Sequence, residues 1–267
     1  MTERAEGAPG SVRFDRAADF YDRTRALSPS AERATVELLR TELAGRGRCL
    51  EIGVGTGLVS IPLHAAGVPM VGIDLSRPML AKLVEKTGGR VPFPLALADA
   101  THLPFGGRVF GSAVVRWVLH LVPDWRAVVG ELARTVEEEG TLLVNLGFGA
   151  FDPKWELVDR FLELAGRVPF AVGLDPRHPE VLDEELARHG AHLRIITLPP
   201  VAGDDTTVGE FLVEMEAAMH SWSWRVPDDV RRRVAPELRS WALERFGSLD
   251  RPLEGDVQIV WRAYDLP

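Results

Sequence analysis

Short apolar runs alternate with amphipathic stretches through the middle of the chain. From Arg48 onward, Cys49–Ile52, Met70–Ile73, Phe93–Leu97, Val109–Val115 and Thr141–Leu146 read as strands. Leu58–Ala66, Pro78–Lys86 and Trp125–Glu137 between them read as helices. That alternation predicts right-handed βαβ units and a doubly wound, mostly parallel sheet. Ahead of it, Phe14 to Arg25 and Ala31 to Leu43 carry apolar residues at helical spacing, and residues 1–12 read as a flexible tail.

Beyond Gly147 the rhythm changes. Pro153–Ala165, Glu180–His189, Thr207–His220 and Asp228–Arg245 read as helices separated by Pro/Gly turns. His192–Thr197 and Val257–Ala263 are alternating or β-branched runs that predict an antiparallel hairpin on the sheet edge. The expected architecture is therefore an α/β, seven-stranded sheet. Residues 13–147 form its core, and residues 148–267 supply a helical lid and the terminal antiparallel strands.

Composition narrows the function. With 267 residues, 46% of them hydrophobic, the chain can bury a full core. Thirty-one basic against 39 acidic residues leave a net charge of −8, which gives no footprint for a nucleic-acid backbone. The single Cys49 excludes an internal disulfide framework and fits a reducing, cytoplasmic setting. No apolar run approaches the ~20 residues of a membrane helix. The scattered histidines form no His-x-x-x-His cluster, so no metal is expected.

The most informative segment is Leu50-Glu51-Ile52-Gly53-Val54-Gly55-Thr56-Gly57, a strand running through glycines into a helix. Glycines there permit a tight turn and close approach of a ligand to the backbone. The second strand ends at Asp74, where open α/β sheets hydrogen-bond a ribose diol. The ribose role is the favoured reading of Asp74; the alternative is a cap on the following helix, which Ser76 could supply equally well. The third strand ends at Asp99, an acceptor suited to an adenine amine or to its own turn. A dinucleotide turn would read Gly-x-Gly-x-x-Gly, but here the third glycine, Gly57, comes one residue early. No Tyr-x-x-x-Lys follows either tyrosine, so a nicotinamide oxidoreductase is the weaker reading.

These residues resemble the class I S-adenosylmethionine-dependent methyltransferases, in the branch that acts mostly on small molecules. The likeness runs from Phe14 to about Leu146. It includes the Phe14-to-Asp22 lead-in, the glycine turn, Gly72-Ile73-Asp74-Leu75-Ser76, Ala98-to-Phe105, Arg116-Trp117-Val118-Leu119-His120 and the Leu132-to-Val144 helix-turn-strand. The resemblance implies a Rossmann-like methyltransferase fold with S-adenosyl-L-methionine as cofactor and S-adenosyl-L-homocysteine as product. Gly53, Gly55 and Gly57 would face the methionine half, Asp74 the ribose, and Asp99 with Ala100 the adenine. Leu75 and Met79 would pack near the cofactor, the Arg116 carbonyl would accept from its amino group, and Tyr21 would close over it. Two departures stand out: Phe110-Gly111 where the family often has Phe-Asp, and Glu138-Glu139-Gly140 where it often has Pro-Gly-Gly.

Methyl transfer is an in-line displacement that needs alignment and, for a hydroxyl acceptor, a nearby base. His120, just past strand four, is the candidate base or else a packed structural histidine, and Tyr21 is the second candidate catalytic residue. Arg25 reads first as a solvated side chain; if it faces the acceptor instead, it would favour an anionic or carbonyl-bearing substrate. Trp117, Trp222 and Trp224 are candidate substrate contacts, Trp222 and Trp224 belonging with Phe211, Met215 and Met219 to an aromatic group of the lid that lines a pocket or forms the face packed on the sheet. The Asn/Asp-Pro-Pro-aromatic turn of nucleic-acid amino methyltransferases is replaced by Arg116-Trp117-Val118. The expected partner is therefore a small, apolar or aromatic molecule, with neither nucleic acid nor membrane. A cofactor-binding regulatory protein without turnover is the alternative.

Overall fold

The computed structural model describes residues 10–147, 154–202, 206–253 and 256–267. Most of the expected tail, the start of the lid at 148 and the Pro153 helix start lie outside these residues. Along the chain run α1 (Tyr21–Arg25), α2 (Pro29–Leu43), β1 (Cys49–Ile52), α3 (Ser60–Ala65), β2 (Met70–Asp74), α4 (Arg77–Lys86), β3 (Leu95–Leu97), β4 (Phe110–Arg116), α5 (Trp125–Thr135) and β5 (Val136–Asn145). They are followed by α6 (Lys154–Leu164), α7 (Glu180–Arg188), β6 (His192–Thr197), β7 (Val201–Ala202), α8 (Val208–Glu216), α9 (Asp228–Phe246), β8 (Asp256–Val257) and β9 (Val260–Asp265).

Seven strands form one sheet in the order β3-β2-β1-β4-β5-β9-β6, parallel from β3 to β5. β9 is antiparallel to both neighbours and slots between β5 and β6, so the expected terminal hairpin joins the sheet by its second strand. The apolar run at 257–263 does not form one strand. Asp256–Val257 pairs with Val201–Ala202 in a separate two-stranded sheet, and only Val260–Asp265 enters the main sheet.

Both faces of the sheet are covered, which is why its strands read as unbroken apolar runs. Leu50, Ile73, Val115 and Leu142 point to the layer built by α5 and α7, together with Val128, Leu132, Leu182 and Leu186. Alternate residues Cys49, Met70, Val114 and Leu143 point to the opposite layer, against Leu39, Leu63 and Leu83 of α2, α3 and α4. A third core belongs to the lid alone. Trp155, Phe161, Phe211, Met215, Trp222, Leu238 and Ala242 pack there across α6, α8 and α9. The Phe211 and Met215 stripe thus closes the lid on itself rather than lying on the sheet. Among the described residues, no helix is long and apolar enough to cross a membrane.

Chain order reverses between β1 and β4, where a doubly wound sheet opens a crevice at the carboxyl ends of its strands. The glycine turn follows β1 there, and Trp117–Leu121 follows β4.

Candidate active site

Gly53, Gly55 and Gly57 all take positive φ, at 68°, 55° and 81°. A Cβ at Gly53 would lie 2.5 Å from a Val118 methyl carbon, and one at Gly57 would lie 2.7 Å from the Ile61 side chain, so a larger residue is excluded by space as well as by conformation. Asp74, at the end of β2, holds this turn: its Oδ2 accepts from the Gly55 N–H at 2.8 Å and its Oδ1 from the Ser76 N–H at 2.7 Å. Ser76 itself caps α4, its Oγ accepting from the Met79 N–H at 3.3 Å. The capping role left open for Asp74 is thus filled by its neighbour. Burial raises the Asp74 pKa, while the Ser76 and Gly55 N–H groups pull it down.

A cleft opens over this turn. Gly53, Gly55, Asp74, Leu75, Met79, Asp99, Ala100, Arg116 and Tyr21 line it. Gly57 does not; it lies deeper, against Ile61 and Leu83. Asp99 sits just past β3, where its Oδ1 accepts from the Thr101 N–H at 2.9 Å and the Thr101 hydroxyl at 2.8 Å. Ser11 and Val12 also line the cleft, and the Val12 N–H donates to the Leu121 carbonyl at 2.9 Å, so the segment just before the lead-in is docked on the site.

The lead-in is tied to the glycine turn through Asp22. Its carboxylate accepts from the Thr56 hydroxyl and from Lys86 Nζ, fixing α1 so that the Tyr21 ring stands beside Gly55. Phe14 meets Tyr21 edge-on at 5.7 Å. Burial raises the Tyr21 pKa, with Arg116 and Arg25 acting against that shift. The phenol therefore stays protonated at neutral pH.

A second cavity adjoins the first and shares Phe14, Tyr21 and Trp117 with it. Arg25, His120, Trp155, Phe170, Pro176, His220 and Trp222 complete most of its wall. Trp117 holds φ 58°, a left-handed conformation that costs a non-glycine residue about 1–2 kcal/mol and marks this wall as strained. The Arg116 guanidinium stacks over the Trp117 ring at 4.0 Å, and its Nη2 is buried with no hydrogen-bond partner. Trp224 does not line either cavity. It stands behind Phe14, with ring centroids 4.8 Å apart, and its indole N–H donates to the Ala218 carbonyl.

His120 lies half-buried in the turn after β4, its carbonyl accepting from the Val172 and Gly173 N–H groups at 3.1 Å. Burial, then the Arg25 charge, pushes its imidazole down to about 4, so the ring is neutral at physiological pH. An unperturbed pKa near neutrality, the reason for singling it out as a base, is not what this environment provides. His220, which the sequence did not single out, is buried in the wall of the same cavity and also pushed down to about 4, chiefly by burial. His220 Nε2 lies 2.8 Å from Glu214 and Nδ1 lies 3.0 Å from Arg25 Nη2. Because arginine can only donate, Nδ1 accepts and Nε2 carries the proton toward Glu214.

Glu51, the acid preceding the glycines, is also buried, and burial raises it to about 8 against the pull of Ser60 and Arg116. Gly111 has a packing explanation: a Cβ there would fall 1.5 Å from the Arg46 carbonyl oxygen. The missing acid at that position reflects how close the α2–β1 loop comes to β4.

Residues 50–144 match the family model for the methyltransferase domain. That stretch, about a third of the chain, is similar to methyltransferase domains. The chain is 39% identical over 101 residues to phosphatidylethanolamine N-methyltransferase of Cereibacter sphaeroides, covering 37% of this chain and 49% of that protein. It is 32% identical over 136 residues to demethylmenaquinone methyltransferase of Mycolicibacterium gilvum, covering 49% and 57%. The chain thus spans about half the length of these curated relatives. Among solved structures, the chain resembles the YcgJ protein of Bacillus subtilis, with TM-score 0.56, 19% identity and coverage of 88% and 99%. The [4+2]-cyclase SpnF superposes with TM-score 0.54 at 17% identity, covering 89% and 82%. At these identities the likeness concerns the fold alone, and the chemistry has to be argued from the site.

Proposed function

We propose that the protein is an S-adenosylmethionine-dependent methyltransferase acting on a small, flat, largely apolar molecule. The observation that carries this reading is the meeting of two cavities at Phe14, Tyr21 and Trp117, one over the glycine turn and one walled by aromatic rings. The first fits an adenosine-type cofactor. Asp74 retains lone pairs for a ribose diol after accepting its two backbone bonds, and Asp99 stands at the next strand end for the adenine amine. Gly53 and Gly55, with Arg116 opposite them, would take the methionine portion.

Bound there, S-adenosylmethionine would supply an electrophilic methyl group: the acceptor atom's lone pair bonds to carbon while the carbon–sulfur pair stays on sulfur. The protein's part is to bind, orient and exclude water. Tyr21 and Trp117 stand between the two compartments and hold the acceptor in line. Neutral His120 offers one donor and one acceptor nitrogen to the acceptor's polar atom.

Calorimetric titration with S-adenosylhomocysteine tests the cofactor half. Micromolar binding that Asp74→Ala and Asp99→Ala both weaken is the expected result; no heat of binding to the wild-type chain would sink it. Transfer of labelled methyl groups into an extract of aromatic metabolites tests turnover, and tight binding with no label transferred would favour a regulatory protein instead.

A further inference from the structure

The charge lining the second cavity is one-sided. Arg25 lies in its wall, and burial lowers the Arg25 pKa against the pull of Tyr21 and Glu214. Its guanidinium donates to the Thr24 carbonyl at 2.7 Å and to His220 at 3.0 Å, and among the described residues no carboxylate pairs with it directly. Glu214 reaches it only through the His220 ring. Asp175, the carboxylate nearest in effect to His120, is engaged by Arg177 at 2.6 Å. Lys154 and Arg116 add further positive field to His220 and to Arg25. No described residue of the cavity wall is a carboxylate.

A cation held in a low-dielectric wall without a direct counter-charge is costly, and a bound anion offsets that cost. An ammonium in the same place would meet Arg25 at close range, and repulsion there is far stronger than in water. The aromatic walls set the shape: Trp222 lies face to face with His220 at 5.3 Å and with Phe170 at 6.4 Å, an arrangement of parallel rings that suits a flat guest.

We propose that the acceptor is a flat, aromatic molecule that enters this cavity with an anionic oxygen, a carboxylate, phenolate or enolate, seated on the Arg25 guanidinium, and that amines are excluded. His220, held in one tautomer by Glu214, orients the guanidinium and is a positioning residue. The inference rests on the methyl-transfer reading and sharpens it: an oxygen that arrives as an anion gives up no proton, so the site needs no side-chain base.

The test uses three probes of one shape on the full chain, with and without saturating S-adenosylhomocysteine: 2-naphthoate, 2-naphthylmethanol and 2-naphthylmethylammonium. Calorimetry should rank naphthoate at least about tenfold tighter than the ammonium, the size of one charge-assisted hydrogen bond. Arg25→Gln should shrink that gap to about threefold or less while S-adenosylhomocysteine affinity holds. His220→Gln should weaken naphthoate without reversing the order. Equal or tighter binding of the ammonium, failure of all three probes, or an unchanged gap in Arg25→Gln would overturn the proposal. If Arg25→Gln does not fold, the wild-type series and Arg25→Lys, which keeps the charge and should keep the order, decide the matter. Absence of S-adenosylhomocysteine binding with the naphthoate preference intact would sink methyl transfer alone.

Discussion

Replacing Asp74 by alanine separates two jobs that one carboxylate performs. It clamps the glycine turn to β2 through the Gly55 and Ser76 N–H groups, and in the proposed complex it also accepts from the ribose. Hydrogen bonds to a charged group contribute about 1.5–3 kcal/mol each, so losing the ribose contact should weaken S-adenosylhomocysteine about 10- to 150-fold. Losing the clamp should also lower stability, by about 1–3 kcal/mol, because two donors at the edge of the cleft lose their acceptor. Asp99→Ala is the matched control. Asp99 accepts from the N–H and hydroxyl of Thr101 within its own turn and ties no separate elements together, so its removal should cost affinity with a smaller loss of stability than Asp74→Ala. Calorimetry and urea denaturation of the two variants read affinity and stability independently. Asp74→Ala binding within threefold of wild type would refute the ribose role, and a stability loss without an affinity loss would reduce Asp74 to a brace for the turn.

Four further outcomes follow from the geometry. His120 and His220, neutral when folded with values near 4 against ~6.5 in the unfolded chain, bind protons more readily once unfolded; stability should fall as pH drops from ~6.5 toward ~4, by up to about 3 kcal/mol per histidine, and urea midpoints flat over that range would contradict the burial argument. Glu51 has the opposite sign: raised to about 8 when folded, it should cost stability as pH climbs from ~4.5 to ~8, and Glu51→Gln should abolish that decline, with parallel wild-type and variant curves as the contrary result. Gly111→Ala drives a Cβ into the Arg46 carbonyl, so a loss of at least about 2 kcal/mol or failure to fold is expected, and a wild-type midpoint would refute the packing explanation. His120→Ala should lower turnover more than S-adenosylhomocysteine affinity; unchanged turnover would leave His120 as a packing residue only.

What the sequence revealed and what it hid divide along physical lines. The parallel strands were legible because burial on both faces leaves no polar alternation to obscure them, and the 21 positions from Gly53 to Asp74 reflect one βαβ unit closing on itself. Local chemistry misled in two places. The helical pattern of Trp125–Glu137 continues past the true end at Thr135, because Val136 leaves the helix to pair with Phe110. The run at 257–263 hides a break at which the chain changes sheets. The acceptor cavity was the least legible, since its key contact joins Arg25 to His220 across 195 positions. No spacing rule anticipates a contact made by folding a separate lid core over the lead-in helix. A cofactor seat is built from consecutive strand ends and so leaves a local signature, whereas an acceptor site is assembled from whatever the lid brings down onto it. The same division explains why the glycine turn and its two aspartates could be read from motifs, while the environment of the second cavity emerges only from where Arg25 and its neighbours come to rest.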